Sequence, residues 1–175
     1  MSELRKANTN YPYFITCTVV QWVDVFTRSI YADVLIDSLK YCQQHKELEI
    51  YGYVIMPSHI HMIVRHEEGQ LDKVIGQFKS YTAKEIIKLI ENSPEESRKK
   101  WLVHLFAYAA KYHKQHAEYM FWQYTKHPVE LSNHKSFQQK LDYIHYNPLK
   151  AGYVTEAEKW YYSSANIFSP LEVRA

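Results

Sequence analysis

Apolar and polar positions along the chain fall into short strand-like runs separated by longer stretches of helical spacing. Tyr13–Trp22 (YFITCTVVQW) is rich in β-branched and aromatic residues and predicts a strand. Over Ser29–His45 the apolar positions Ile30, Val34, Leu35, Leu39 and Cys42 recur at helical intervals. Leu48–Met56 (LEIYGYVIM) predicts a second strand. Pro57 and Ser58 punctuate the chain, and His59–Arg65 (HIHMIVR) predicts a third strand that closes an antiparallel hairpin. Gln70–Glu91 predicts a helix whose buried stripe is Leu71, Val74, Ile75, Phe78, Ile86, Leu89 and Ile90. Ser93, Pro94 and Glu96 have the spacing of an N-cap, a first-turn proline and a capping box, which predicts a further helix from Pro94 to about His116. A short extended segment is expected over 128–131. Ser132 or Asn133 then caps a last long helix through about Tyr146, ended by Pro148, and an irregular aromatic tail follows.

This order of elements predicts an α+β fold, a ferredoxin-like antiparallel sheet with helices packed on it. The pattern does not fix the strand order. A length of 175 residues suits one domain spanning 1–175, and neither an internal repeat nor a low-complexity linker interrupts it.

Composition narrows the picture in three ways. A hydrophobic fraction of 46% is ordinary for a globular protein and argues against a disordered chain. The formal charge of +2 is too small to argue nucleic-acid binding by itself, so local basic clusters carry more weight. These are Arg98-Lys99-Lys100, the series Lys79, Lys84 and Lys88, and Lys111 and Lys114 with His113 and His116. The two cysteines, Cys17 and Cys42, are far apart and suggest reduced thiols. With no secretory core and no span of membrane-crossing length, the expected location is cytoplasmic. The 16 tyrosines supply rings that pack and hydroxyls that stay wet, a chemistry suited either to stacking on bases or to an ordinary half-wet core.

Candidate chemistry begins with His59 and His61, two apart on a predicted strand and so on one face of it. Ten histidines in this length give about half such a pair by chance, so the spacing alone is weak evidence. Its apolar flanks would bed the pair in the central sheet. A shared cation would need a further ligand, and the absence of nearby thiolates points to Mg²⁺ or Mn²⁺ rather than a structural zinc. Near the far end, LDYIHYNPLKAG places Tyr143 and Asn147 one helical turn apart, with Tyr146 close by and His145 facing elsewhere. Spacing alone does not single out Tyr143 among the tyrosines.

VIMPSHIHMIV, followed much later by YIHYNPLKAGYV, resembles the HUH-superfamily single-tyrosine transposases, and within them the REP-associated tyrosine transposases of the insertion-sequence-200-like family. The likeness extends through FKSYTAKEI, FWQ, HPVEL and WYYSSA. It implies that His59 and His61 are metal ligands and Tyr143 the catalytic nucleophile. It implies that Asn147 completes the metal site, where related transposases often carry glutamine. It also implies a DNA transposase and single-strand endonuclease that works near hairpins through a 5′-phosphotyrosine link and transfers strands. The implied partners are hairpin-bearing single-stranded DNA and a possible homodimer, with no membrane. DNA contacts are expected at Lys79, Lys84, Arg98, Lys99, Lys100, Trp122 and Tyr124, and 94–116 looks like an addition to the family fold. Two other classes remain compatible with these residues. One is a domesticated hairpin-binding protein that does not cut, and the other a hydrolase in which the histidines serve a metal-activated water.

Overall fold

The computed structural model describes residues 10–113, 117–124 and 128–174. Its frame is a four-stranded antiparallel sheet in the order β2-β3-β1-β4. β1 spans Tyr13–Thr18, β2 Leu48–Met56, β3 His59–His66 and β4 Val129–Glu130. The hairpin read from Pro57-Ser58 is present, with Ile55 opposite Ile60 and Val54 opposite His61. β1 runs antiparallel along the other side of β3, placing Thr16 opposite His61 and Thr18 opposite His59. Helix α1, Ser29–His45, links β1 to β2, and α2, Leu71–Asn92, leaves β3. Together with the strand order, this gives the ferredoxin-like arrangement expected from the element pattern.

Each strand divides its side chains between two cores because successive residues point to opposite faces. Ile15 and Cys17 of β1, Tyr53 and Ile55 of β2, and Ile60, Met62 and Val64 of β3 face α1 and α2 in the larger core. Phe14, Val54, Met56 and Ile63 face the other way, into a smaller core closed by Ile144 of helix α4, His134–Lys150. His59 and His61 alternate with Ile60 and Met62, so both imidazoles lie on the α4 side. Gly52 lets α4 lie close on β2, since a Cβ there would stand 2.6 Å from Leu141 Cδ1. The tail seals the outer edge of β2 through Tyr162 and Ser164, and Trp160 Nε1 donates to the Ile55 carbonyl.

Three boundaries differ from the sequence reading, each for a local reason. β1 stops at Thr18 instead of reaching Trp22, because the chain turns sharply at Val20–Trp22 with Gln21 and Trp22 in the left-handed region. Helix α3 starts at Lys99 and runs to Tyr112, without the Ser93 capping box. Ser93 instead closes α2 by donating its N–H to the Leu89 carbonyl. Glu96, 3% exposed, accepts from the Tyr31 hydroxyl at 2.9 Å and the Arg98 N–H at 3.1 Å, and pairs with Arg28 at 3.1 Å. Helix α4 is capped by Asn133, whose side chain accepts from the Ser136 N–H, but it continues through Pro148 instead of ending there. Losing one backbone bond there is tolerated because Ile144 and Pro148 are both buried. Gly152, at φ 78°, ends the helix by donating to the Leu149 carbonyl while Tyr153 donates to that of Pro148.

Candidate active site

β3 and α4 together bring three of the singled-out side chains into ring contact. The His59 and His61 ring centroids are 4.7 Å apart, and those of His61 and Tyr143 are 5.2 Å apart. Phe14 floors the site, stacked on His61 at 5.4 Å and edge-on to Tyr143 at 5.9 Å. Tyr143 remains 43% exposed, so its ring is fixed by neighbours while the side chain stays open to a ligand. His145, two residues on, points away and bonds Ser164 Oγ at 2.9 Å.

The two imidazoles are poised as neutral donors. Burial pushes His59 down to about 4, and burial together with the charges of His59 and Lys140 pushes His61 down to about 3. Neutral imidazole is the form that binds a cation. Thr16 Oγ1 lies 2.8 Å from His61 Nδ1, and Ser58 Oγ lies 3.1 Å from His59 Nδ1. His61 Nε2 is buried with no hydrogen-bond partner among the described residues. A buried polar nitrogen left unpaired is costly, and a ligand atom at that position would relieve the cost. With the proton on Nδ1 facing Thr16, the free lone pair is on Nε2.

These features fit a divalent cation on an open site, with one restriction. Among the described residues no group of three or more His, Cys, Asp or Glu side chains could hold a metal. The remaining ligands would be oxygens, from water, a phosphate or an amide. Asn147 is partly buried one turn beyond Tyr143, whereas Gln139, one turn before it on the same helix, is exposed. No ring or hydrogen-bond contact ties its side chain to the histidines.

The expected DNA-contact residues separate into different environments. Trp122 belongs to the core: it is 6% exposed and its indole N–H donates to Thr82 Oγ1 at 3.1 Å. It therefore has no face free for a base. Lys79 is turned inward, donating to the Gln123 carbonyl at 2.8 Å, and burial lowers its pKa. Arg98 bridges Asp24 at 2.7 Å and Glu96 at 3.5 Å, which ties down the start of α3. Lys84 and Lys100 are exposed, and Lys99 is partly so. Lys99 and Lys100 share a groove with Glu91 and Glu118, so that surface is of mixed charge. Tyr124 is 65% exposed, its ring edge-on to His113. Lys114 and His116 lie outside the described residues.

Sequence reasoning missed four neighbours of the pair. Lys140 sits one turn before Tyr143 with its ammonium 4.6 Å from the Phe14 ring centroid and 5.5 Å from that of Tyr143, and helical spacing could have found it. Thr16 and Ser58 depend on strand register and on the turn rotamer, neither of which is visible in the sequence. Trp22 stands edge-on to His59 at 5.3 Å, brought there by the unforeseen turn after β1.

Comparison with known proteins bears on the family and the fold. Residues 8–128 match the family described as "Transposase IS200 like". A Haemophilus influenzae protein described as a REP-associated tyrosine transposase is 27% identical over 121 residues, covering 69% of this chain and 61% of that protein. The match thus spans about three-fifths of that relative's length. The solved structure of a REP-associated tyrosine transposase bound to a REP hairpin superposes with a TM-score of 0.63 at 18% identity, over 94% of this chain and 82% of the other. That likeness is one of fold. No helix among the described residues is long and apolar enough to cross a membrane.

Proposed function

The chain belongs to the IS200-like transposase family, and from that premise we propose that it breaks and rejoins single-stranded DNA through a covalent link to Tyr143. The observation that carries this reading is the contact of Tyr143 with His61, whose Nε2 is buried and unpaired. A packing tyrosine would not need to stand against an unsatisfied nitrogen in an opening of the surface. The related fold bound to a REP hairpin supports a hairpin-bearing strand as substrate.

In the proposed step, Tyr143 Oη attacks a backbone phosphorus. A P–O bond to the tyrosine forms as the bond to the 3′ oxygen breaks. The phenol gives up a proton and the departing 3′ oxygen gains one, so the products are a 5′-phosphotyrosine and a 3′-hydroxyl. One phosphoester replaces another. Attack by a different 3′-hydroxyl therefore reverses the step and joins strands without an outside energy source.

The chain's own residues divide the work. Phe14 and His61 fix the Tyr143 ring, so the nucleophile pays little orientational entropy on attack. His59 and His61 would hold the cation, with Asn147 as the proposed amide ligand, and Thr16 and Ser58 fix the imidazole orientations through Nδ1. Mg²⁺ or Mn²⁺ bound there would neutralise charge growing on the phosphate oxygens. Lys140 adds a fixed positive charge beside Tyr143 that favours an approaching phosphate.

The test is an end-labelled hairpin oligonucleotide incubated with Mn²⁺ or Mg²⁺ and resolved on a denaturing gel. A protein–DNA adduct that survives SDS is expected, absent with Tyr143→Phe. Cleavage without an adduct would instead identify a water-activating hydrolase, and a mobility shift without cleavage a pure binder. An adduct formed by Tyr143→Phe would refute the nucleophile.

A further inference from the structure

We infer that Trp22 is a base-stacking platform at the mouth of the site, holding the unpaired nucleotide next to the attacked phosphate. The inference rests on the reading that this site takes single-stranded DNA, and it names what grips that strand.

Trp22 is 60% exposed, and what sets it apart from the other exposed rings is its place beside the imidazole pair. Its indole stands 5.3 Å from the His59 ring, with the planes at 73°, so it borders the imidazole pair while keeping a broad face toward solvent. The backbone that presents it is strained. Gln21 has φ 53° and Trp22 φ 57°, two consecutive non-glycine residues in the left-handed region. A bulky residue adopts that conformation at a cost, and it persists where surrounding contacts over-determine it.

Those contacts clamp the turn to the histidine hairpin. The Val19 N–H donates to the Ser58 carbonyl, Val20 N–H to Phe121, and Trp22 N–H to Val19, all within 3.0 Å. Gln123 Nε2 donates to the Val19 carbonyl at 3.1 Å. Ser58 also contacts His59, so one short network fixes both the imidazole and the indole beside it. Strain held in place this firmly, with an exposed aromatic as its product, is what a recognition surface looks like.

The surface continues. Gln21 borders a cleft of about 440 Å³ lined by Tyr108, Tyr112, His113 and Tyr124. Tyr108 and Tyr112 stack at 6.2 Å with planes at 22°, and Tyr112 is 70% exposed. Exposed rings at successive positions suit a chain of unpaired bases, because each base has a π-face whatever its identity, whereas duplex DNA keeps those faces stacked internally. Trp22 is the member of this series that touches the chemistry.

Binding of a short fluorescein-labelled single-stranded oligonucleotide, read by anisotropy in EDTA, tests the inference apart from any effect on a cation. Trp22→Ala and Trp22→Gly are expected to bind at least about fivefold more weakly than wild type, the low end for one base–aromatic stack. Trp22→Phe is expected to recover most of the affinity. Glycine accepts the left-handed backbone freely, so a loss shared by alanine and glycine cannot come from strain in the turn. An abasic site beside the cleavage position should weaken wild type and leave Trp22→Ala unchanged. Trp22→Ala binding as tightly as wild type, with the wild-type adduct still forming, would overturn this inference alone. A wild type that neither binds the strand nor forms the adduct would overturn the functional reading and this inference together.

Discussion

Replacing His61 with leucine should make the metal-free protein more stable while removing its response to metal. His61 is 6% exposed and its Nε2 has no partner among the described residues, so the folded chain carries an unpaired buried nitrogen. Such a group costs about 1–3 kcal/mol, and the bond between Nδ1 and Thr16 returns about 0.5–1.5 kcal/mol. Leucine is of similar size, faces Phe14 and Val54, and leaves a half-buried Thr16 hydroxyl that can turn to water. The expected net is a gain of about 1 kcal/mol in EDTA, or a melting temperature about 2–4 °C higher for a chain of this size. Manganese should reverse the ranking. A ligand at a hundredfold excess over its Kd stabilises the native state by about 2.7 kcal/mol, which would raise the wild-type melting temperature by about 5–11 °C. The leucine variant should show no such rise. Differential scanning fluorimetry with and without Mn²⁺ gives both comparisons. An equal Mn²⁺ shift in the variant would place the cation elsewhere, and a variant less stable than wild type in EDTA would refute the orphaned nitrogen.

Other perturbations probe the scaffold. Burial would raise the Glu96 carboxyl, but the Arg98 N–H, the Tyr31 hydroxyl and the charges of Arg28 and Arg98 outweigh it and hold it below the usual range. Glu96→Gln should therefore cost somewhat under the roughly 3 kcal/mol of a fully buried pair at pH 7, because both guanidiniums keep some water. A depressed carboxylate stabilises the fold above its unfolded pKa of about 4.3. The gap between wild type and variant should thus stay constant down to that pH and close below it, as urea midpoints across pH would show. Trp122→Phe should lose about 1–3 kcal/mol through the smaller ring and the missing bond to Thr82, with single-strand affinity of the folded protein unchanged. A loss of affinity without a loss of stability would return Trp122 to the DNA surface. Asn133→Ala should cost about 1 kcal/mol by uncapping α4, measured by denaturant unfolding, while adduct formation at Tyr143 persists.

The sequence by itself determined the elements with strong period and clear punctuation. Helix α1, the β2–β3 hairpin and α2 lie within a residue of where apolar spacing put them, because each buries a continuous stripe that its own pattern announces. The same alternation placed His59 and His61 on one face. It could not say which face, or what lies opposite. Local signals misled where tertiary partners outbid them: Glu96 has the spacing of a capping box but is claimed by Tyr31, Arg28 and Arg98, and buried Pro148 continues a helix it was expected to end. Lys79 and Trp122 are expected on a DNA-contacting surface from the sequence, but the packing of α2 against the 117–124 segment turns both inward. The meeting of Tyr143 with His61 belongs to the tertiary structure alone. It depends on strand register, on the close approach at Gly52 and on α4 covering the face that α1 and α2 leave open, and none of these is a property of any local stretch of chain.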